Sequence, residues 1–470
     1  MSKRAVITLT IVLMVWLEGG AGLSTAAASM PLSSQVSEQL WERLLIAGTP
    51  PILRVAGDSV RSGDLVLQFY TRRLFWPAWS NDAGLLPQVE SLLQALREAE
   101  DEGLTSRDYH LTRLENVLTE LRQQQSSAVL LSAAALADVD LLLTDALLTY
   151  GSHLLYGRMT PRTSEVMFDT SQEKADLVGV LQEGLETNRV ADALRSLSPR
   201  HPGYARLRQV LAQYRQLPGA EMQVRQIAQN MERWRWLPQE LGRRYILVDV
   251  PAYTLEVVEH DQPVMTMRVV VGKPSWPTPV LSATMSHVVL NPDWHVPPSI
   301  AAQELLPILR SNPGYLTQQN MRVSYGPHDV APHSIDWGKI SKKNFPYRLR
   351  QEPGPKNPLG QIKFMFPNRF QVYLHDTPSR TLFAKPERAF SHGCVRVEKP
   401  TELAEYVLRG ALSRDRLLAS IGQRTSRTIM LTEPVPIYFV YRTVWVKDDG
   451  TVQFQPDIYG YDGLPERGAS

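Results

Sequence analysis

The sequence predicts an α+β protein, a helical region followed by a mainly β region. From about residue 36 to 215, apolar residues recur three and four apart, the spacing that builds one buried helix face. From Arg244 onward the chain alternates as strands do, in runs rich in β-branched and aromatic residues. A length of 470 residues, set against about 150 per domain, predicts two or three units. Composition is ordinary for a globular chain, 43% hydrophobic and 21% charged. A formal charge of +2 with no basic block argues against a nucleic-acid role.

The first element is a leader. Lys3 and Arg4 precede an uncharged run from Ala5 to Leu17, and Ala26 and Ala28 fit a small-x-small cleavage site before Ser29. The run falls short of the roughly 20 residues a spanning helix needs, and Glu18 interrupts it. Residues 1–28 therefore read as a cleaved secretory signal, with an uncleaved anchor as the lesser alternative. No later segment reaches spanning length without charge, so no membrane span is expected after cleavage.

Residues 29–215 form the helical unit, with "VSEQLWERLLI", "LLPQVESLLQALREAE" and "LLSAAALADVDLLLTDALLTYGSHLLYG" as its clearest periodic stretches. The aromatic-rich stretch from Gly63 to Trp79 reads as core rather than as a cofactor site. Residues 216–242 form a connecting helix that ends at Pro238. The β region begins with "RYILVDVPAYTLEVVEHDQPVMTMRVVVG", in which "EHDQP" is a hairpin turn. "ATMSHVVLNPDWHVP", "QIKFMFP" and "RFQVYLHD" add strands, "KPTELAEYVLRGAL" is an amphipathic helix opened by proline, and "VPIYFVYRTVWV" and "VQFQPDIYG" are final strands flanking a "KDDGT" turn. This divides the β half into a unit over 243–430 and C-terminal strands over 431–470 packing on it or on the helical unit.

The stretch "AFSHGCVRVEK" holds Cys394, the only cysteine. An exported chain with one thiol cannot staple itself; the thiol is a buried small hydrophobe, an intermolecular link or a reactive group. As a nucleophile it needs a base, because only about 3% of an unperturbed thiol is ionised at pH 7. Among 10 histidines, His392 stands two positions before the cysteine, a spacing that seldom permits a proton relay. His375 is the stronger candidate. It ends the strand "QVYLHDTP" on the same face as Tyr373, and the following turn would leave its imidazole at a strand end.

"HDTP" and "SHGC", with 15 residues between His375 and Ser391, resemble the signature of the L,D-transpeptidases, bacterial cell-wall enzymes of the YkuD-like catalytic fold. The resemblance extends through "MERWRWLP", "DVPAYTLEV", "VVVGKPSWPTPVLS", "VVLNPDWHVPPSI" and "PGPKNPLGQIKFMFPN". "LQFYTRRLFWPAW" and "LLYGRMTP" are similar to the helical scaffold of the large periplasmic type. It implies a helical scaffold domain followed by a mainly β catalytic domain with a lid insertion over 300–360. It also implies a periplasmic enzyme whose Cys394 attacks a tetrapeptide stem and forms a thioester, with His375 as base and then as proton donor to the departing D-alanine. The acyl group then passes to a diaminopimelate amine, giving a 3→3 cross-link. Peptidoglycan stem peptides, and other cell-wall synthesis proteins, are the implied partners, carbapenems the implied inhibitors, and no metal or organic cofactor is implied. Gly393 would permit backbone approach, and amides from His392 to Cys394 would face the oxyanion. Ser391 and Arg396 would shape the loop, Arg396 as structure or as a holder of a substrate carboxylate. Tyr373 and Trp294 would wall the cleft or fill core.

The chain departs from the large type in one respect. "HPGYARLRQVLAQYRQLPG" runs almost directly into "AEMQVRQIAQN", leaving no room for a small peptidoglycan-binding module. Val395 after the cysteine fits the large type. His375, His392 and Cys394 make a weak zinc set, and the order His before Cys opposes a papain-like protease. A non-catalytic wall-binding scaffold, an L,D-carboxypeptidase and a lipoprotein-linking variant remain as alternatives.

Overall fold

The structure, a computed structural model, describes residues 30–46, 54–55, 57–127, 131–158, 166–167, 176–447 and 449–463. The signal expected over 1–28 lies outside the described residues. The helical half comprises α1 (Leu32–Trp41), α2 (Gly63–Arg72), α3 (Gln88–Arg97), α4 (Leu111–Ser126), α5 (Ala133–Tyr156), α6 (Leu177–Glu186), α7 (Val190–Leu197), α8 (Pro202–Tyr214) and α9 (Glu221–Arg235). Helix α5 is buried on nearly every side and forms the hub, as a helix apolar all round must. Its buried Asp140 accepts hydrogen bonds from the backbone of Ala78 (2.9 Å) and Trp79 (3.0 Å) and from the Tyr70 hydroxyl (2.5 Å). Phe69, Tyr70 and Trp79 are wholly buried, so these aromatics of the stretch are core, whereas Trp76 is exposed.

The β half opens with β1 (Arg244–Asp249), β2 (Thr254–Glu259), β3 (Gln262–Gly272) and β4 (Val280–Leu290). His260 and Asp261 link β2 to β3 with both φ positive, 50° and 61°, as a two-residue hairpin turn that follows the strand twist requires. An insertion carries β5 (Trp294–His295), β6 (Met321–Tyr325), β7 (His328–Val330) and β8 (Arg348–Gln351). Then come β9 (Ile362–Met365), β10 (Leu374–His375), β11 (Ala389–Ser391), β12 (Val395–Val397), α10 (Pro400–Val407), α11 (Arg414–Gly422), β13 (Arg427–Val440), β14 (Val444–Val446) and β15 (Val452–Phe454). The large sheet runs β9-β10-β12-β3-β2-β1-β13-β4, and β4 pairs back with β9, so the path closes on itself. Alternate residues of these strands, among them Val248, Leu255, Val269, Val288, Phe364, Leu374, Val395 and Phe439, fill its core.

Three features differ from the strand reading. Only Leu374–His375 of "RFQVYLHD" joins the sheet, because the Asn368 side chain accepts from Phe370 N and Val372 N and holds a loop in which Gln371 takes φ 56°. β13 runs unbroken through residue 430, so the sheet continues past the boundary expected there and ends at Val440. The insertion is no plain loop. It has its own sheet, ordered β5-β8-β6-β7, and its own core of Leu305, Leu306, Leu309, Leu316, Val323, Trp337 and Leu349. It leaves and re-enters at neighbouring positions, since Leu290 pairs with Ile362. The β14–β15 hairpin packs Val444 and Val446 against Tyr204, Leu207 and Trp234 of α8 and α9, tying the C-terminal segment to the helical half.

Candidate active site

β10 and β12 are parallel neighbours, with Leu374 opposite Val395 and His375 opposite Arg396. Leu374, Val395 and Val397 point into the core, so Tyr373, His375, Cys394 and Arg396 share the outer face. On the other side of β10, Lys363 pairs with His375 and lies between the core residues Ile362 and Phe364, which sets it on that face too. Its ammonium stands 3.8 Å from the centre of the Tyr373 ring.

His375 is 5% exposed. Its Nδ1 lies 2.5 Å from the Asp376 carbonyl. A carbonyl only accepts, so Nδ1 carries the proton and Nε2 is left with its lone pair. Burial, then the nearby Arg396 and Lys363, push this imidazole down to about 3. Cys394 is half-buried, and its Sγ faces the Gln371 carbonyl at 4.0 Å. Burial pushes the thiol up; hydrogen bonds from Tyr373, backbone and hydroxyl, and the charges of Lys363 and Arg396 oppose that rise. Tyr373 itself is held neutral by burial, with the cysteine adding to the effect. Burial lowers both Arg396 and Lys363, and Cys394 works against this in each.

The turn before the thiol is built tightly. Gly393 has φ 105°, a conformation that costs a residue with a Cβ. Its N–H donates to the buried Ser391 Oγ (3.2 Å), so that amide is engaged here and not free to meet an oxyanion. Its carbonyl accepts from Thr278 Oγ1 (2.8 Å), which in turn accepts from Gly272 N (2.9 Å). The Tyr459 hydroxyl donates to Gly272 O (2.6 Å) and accepts from Thr278 N (3.2 Å). Tyr459 comes from the C-terminal segment, whose Asp462 pairs with Arg233 of α9 at 2.7 Å. This brace and Lys363 were overlooked in the sequence. The apolar-Lys-apolar alternation of "QIKFMF" was a usable signal for Lys363; nothing local marks Tyr459.

His392 faces elsewhere. Its Nε2 lies 2.5 Å from Glu304 Oε1, at the base of the insertion, and its ring meets Trp276 edge-on at 5.5 Å. Glu304 also stands 3.8 Å from Lys273. Trp294 pairs through β5 with β8 and packs on the insertion's core. Among the described residues no group of three His, Cys, Asp or Glu is placed to hold a metal ion, and no helix is long and apolar enough to cross a membrane.

Comparison with known proteins bears on this arrangement. Residues 243–435 match the L,D-transpeptidase catalytic domain and residues 64–211 match a domain described as "Scaffold domain". A Haemophilus influenzae protein named "Putative L,D-transpeptidase" is 32% identical over 410 residues, covering 85% of this chain and 78% of that protein. The chain belongs to the L,D-transpeptidase family. Two solved structures are similar in part. One is the Ldtfm-avibactam carbamoyl enzyme, at 13% identity and TM-score 0.21 over 43% of this chain and 51% of that one. The other is an L,D-transpeptidase from Mycobacterium smegmatis, at 14% and 0.21 over 42% and 58%. Neither score bears on the fold. The helical scaffold region followed by a mainly β catalytic domain is the α+β architecture expected of the sequence.

Proposed function

We propose that this L,D-transpeptidase acts outside the cytoplasm, in the periplasm, and forms 3→3 cross-links between peptidoglycan stems through a thioester on Cys394. The observation that carries the reading is the shared sheet face, which holds both the only cysteine of the chain and a histidine whose Nε2 has no hydrogen-bond partner among the described residues. Cys394 Sγ attacks the carbonyl between the third residue and the terminal D-alanine of a tetrapeptide. The thiol proton passes to His375 Nε2 as the C–S bond forms, then to the departing amine as the C–N bond breaks. The acceptor amine attacks the thioester, its proton returns to sulfur by the same imidazole, and the thiol is restored. Ser391, Gly393 and Thr278 fix the turn that aims the sulfur, Tyr373 hydrogen-bonds it, and His392 connects that turn to the insertion. The insertion covers the donor site, with Trp294 as part of its wall. Purified protein incubated with disaccharide-tetrapeptide tests this by mass spectrometry. Cross-linked dimer with released D-alanine is expected; tripeptide alone would mean hydrolysis, and no turnover would favour a binding scaffold.

A further inference from the structure

Lys363 and Arg396 stand on the cysteine's face of the sheet, both partly buried, and neither has a carboxylate within ion-pair distance among the described residues. The Arg396 Nε is buried with no hydrogen-bond partner. Removing cations from water without a counter-ion is costly, so a pair of them beside one group marks the place where negative charge develops. The charged and titratable groups around the thiol are few. Tyr373 and His375 come from β10 and its approach, Arg396 from β12, Lys363 from β9, and His392 from the turn. His287 of β4 feels Lys363 in turn. Glu304, the carboxylate that reaches this turn from the insertion, is engaged by His392 and Lys273. Asp376 binds Gln361 N at 2.9 Å and pairs with Arg380. His375 is ill placed to carry the balancing charge, because an imidazolium there would be buried beside two cations.

We propose that Lys363, together with Arg396, is the counter-charge of the Cys394 thiolate: when the thiol of the free enzyme ionises, its proton leaves to solvent, the sulfur is held against the fixed lysine and arginine cations, and the His375 imidazole stays neutral until substrate is attacked. Lys363 also lies over the Tyr373 ring, whose hydroxyl hydrogen-bonds the sulfur, so one cation supports both the anion and its donor. The inference rests on Cys394 being the nucleophile, but its test needs no substrate.

The chain has a single thiol, so its alkylation by iodoacetamide, followed by intact mass from pH 6 to 10, reports the titration of Cys394 alone. Lys363→Met should raise the midpoint by about one pH unit and slow alkylation at pH 7 about tenfold, while Lys363→Arg keeps the wild-type midpoint. A Lys363→Met protein that melts like wild type and shows an unshifted midpoint overturns the proposal. Should Lys363→Met fail to fold, the reciprocal measurement decides. In a protein with 13C-methylated lysines, Cys394→Ala should lower the Lys363 titration midpoint through loss of the thiolate, and an unmoved midpoint overturns the proposal. An enzyme that makes no cross-link yet shows the shifted thiol sinks the proposed function and leaves this inference standing; normal turnover with an unshifted thiol does the reverse.

Discussion

The His375 imidazole makes a prediction about pH that separates two accounts of thiol activation. With its protonation midpoint near 3, His375 is protonated in about one molecule in a thousand at pH 6; an ordinary imidazole at about 6.5 would be about three-quarters protonated. Nε2 therefore keeps its lone pair throughout the range from pH 5 to 8, and the raised thiol keeps its proton over the same range. Acylation of Cys394 by a carbapenem, followed as a single mass increment between pH 5 and 9.5, should accordingly show a plateau with no step near 6.5, then an upturn as the thiol ionises unaided. His375→Ala should lower the plateau by about 10²–10⁴-fold, the range of a lost general base, and recover part of the rate only at pH values above the ordinary thiol range of about 8.5, because burial raises this thiol. A wild-type step near pH 6.5 that vanishes in His375→Ala would refute the reasoning, since it would mean the imidazole titrates as if solvated.

Tyr459→Phe removes a donor to Gly272 O and an acceptor for Thr278 N; it should cost about 2 kcal/mol in thermal unfolding and slow acylation of Cys394, and a variant equal to wild type in both would remove the brace. Acid should destabilise the fold, because burial depresses His153 and His201 to about 4 and His375 to about 3. Each is proton-poor when folded, so their stabilisation is whole above about pH 6.5 and is lost as pH falls toward 4. Melting temperatures at pH 7, 5.5 and 4.5 should fall in that order, and less steeply in His201→Asn, which keeps an N-cap for α8. Replacing residues 294–357 by a short turn should leave a folded protein, since β4 and β9 already pair where the insertion departs; circular dichroism showing an unfolded product would make the insertion part of the main core.

Much of the fold was legible because its signals are local. The three-and-four spacing of α5 and the alternation of β1 to β4 are statements about one segment's own faces. The His260-Asp261 turn was visible from the runs on either side. Its strand-end position singled out His375 as the candidate base and resemblance then paired it with Cys394, because the β10–β12 pairing that puts both on one face links separate stretches of chain. What escaped has the same cause. Closure of the sheet depends on β4 meeting β9 across the whole insertion. The insertion's core is assembled from short pieces between prolines, each too brief to show a period. The shortness of β10 follows from the Asn368 side chain and the left-handed Gln371, and Tyr459 braces the Cys394 turn from the far end of the chain.

The central claim is that Cys394 carries the acyl group. Intact mass of the protein after brief exposure to tetrapeptide donor, quenched with acid, tests it most directly. One increment equal to the donor without its D-alanine is expected, located to the peptide containing Cys394, with D-alanine released in equal amount and nothing bound to Cys394→Ala. Cross-linking that persists in Cys394→Ala, or an adduct on any other residue, would contradict it.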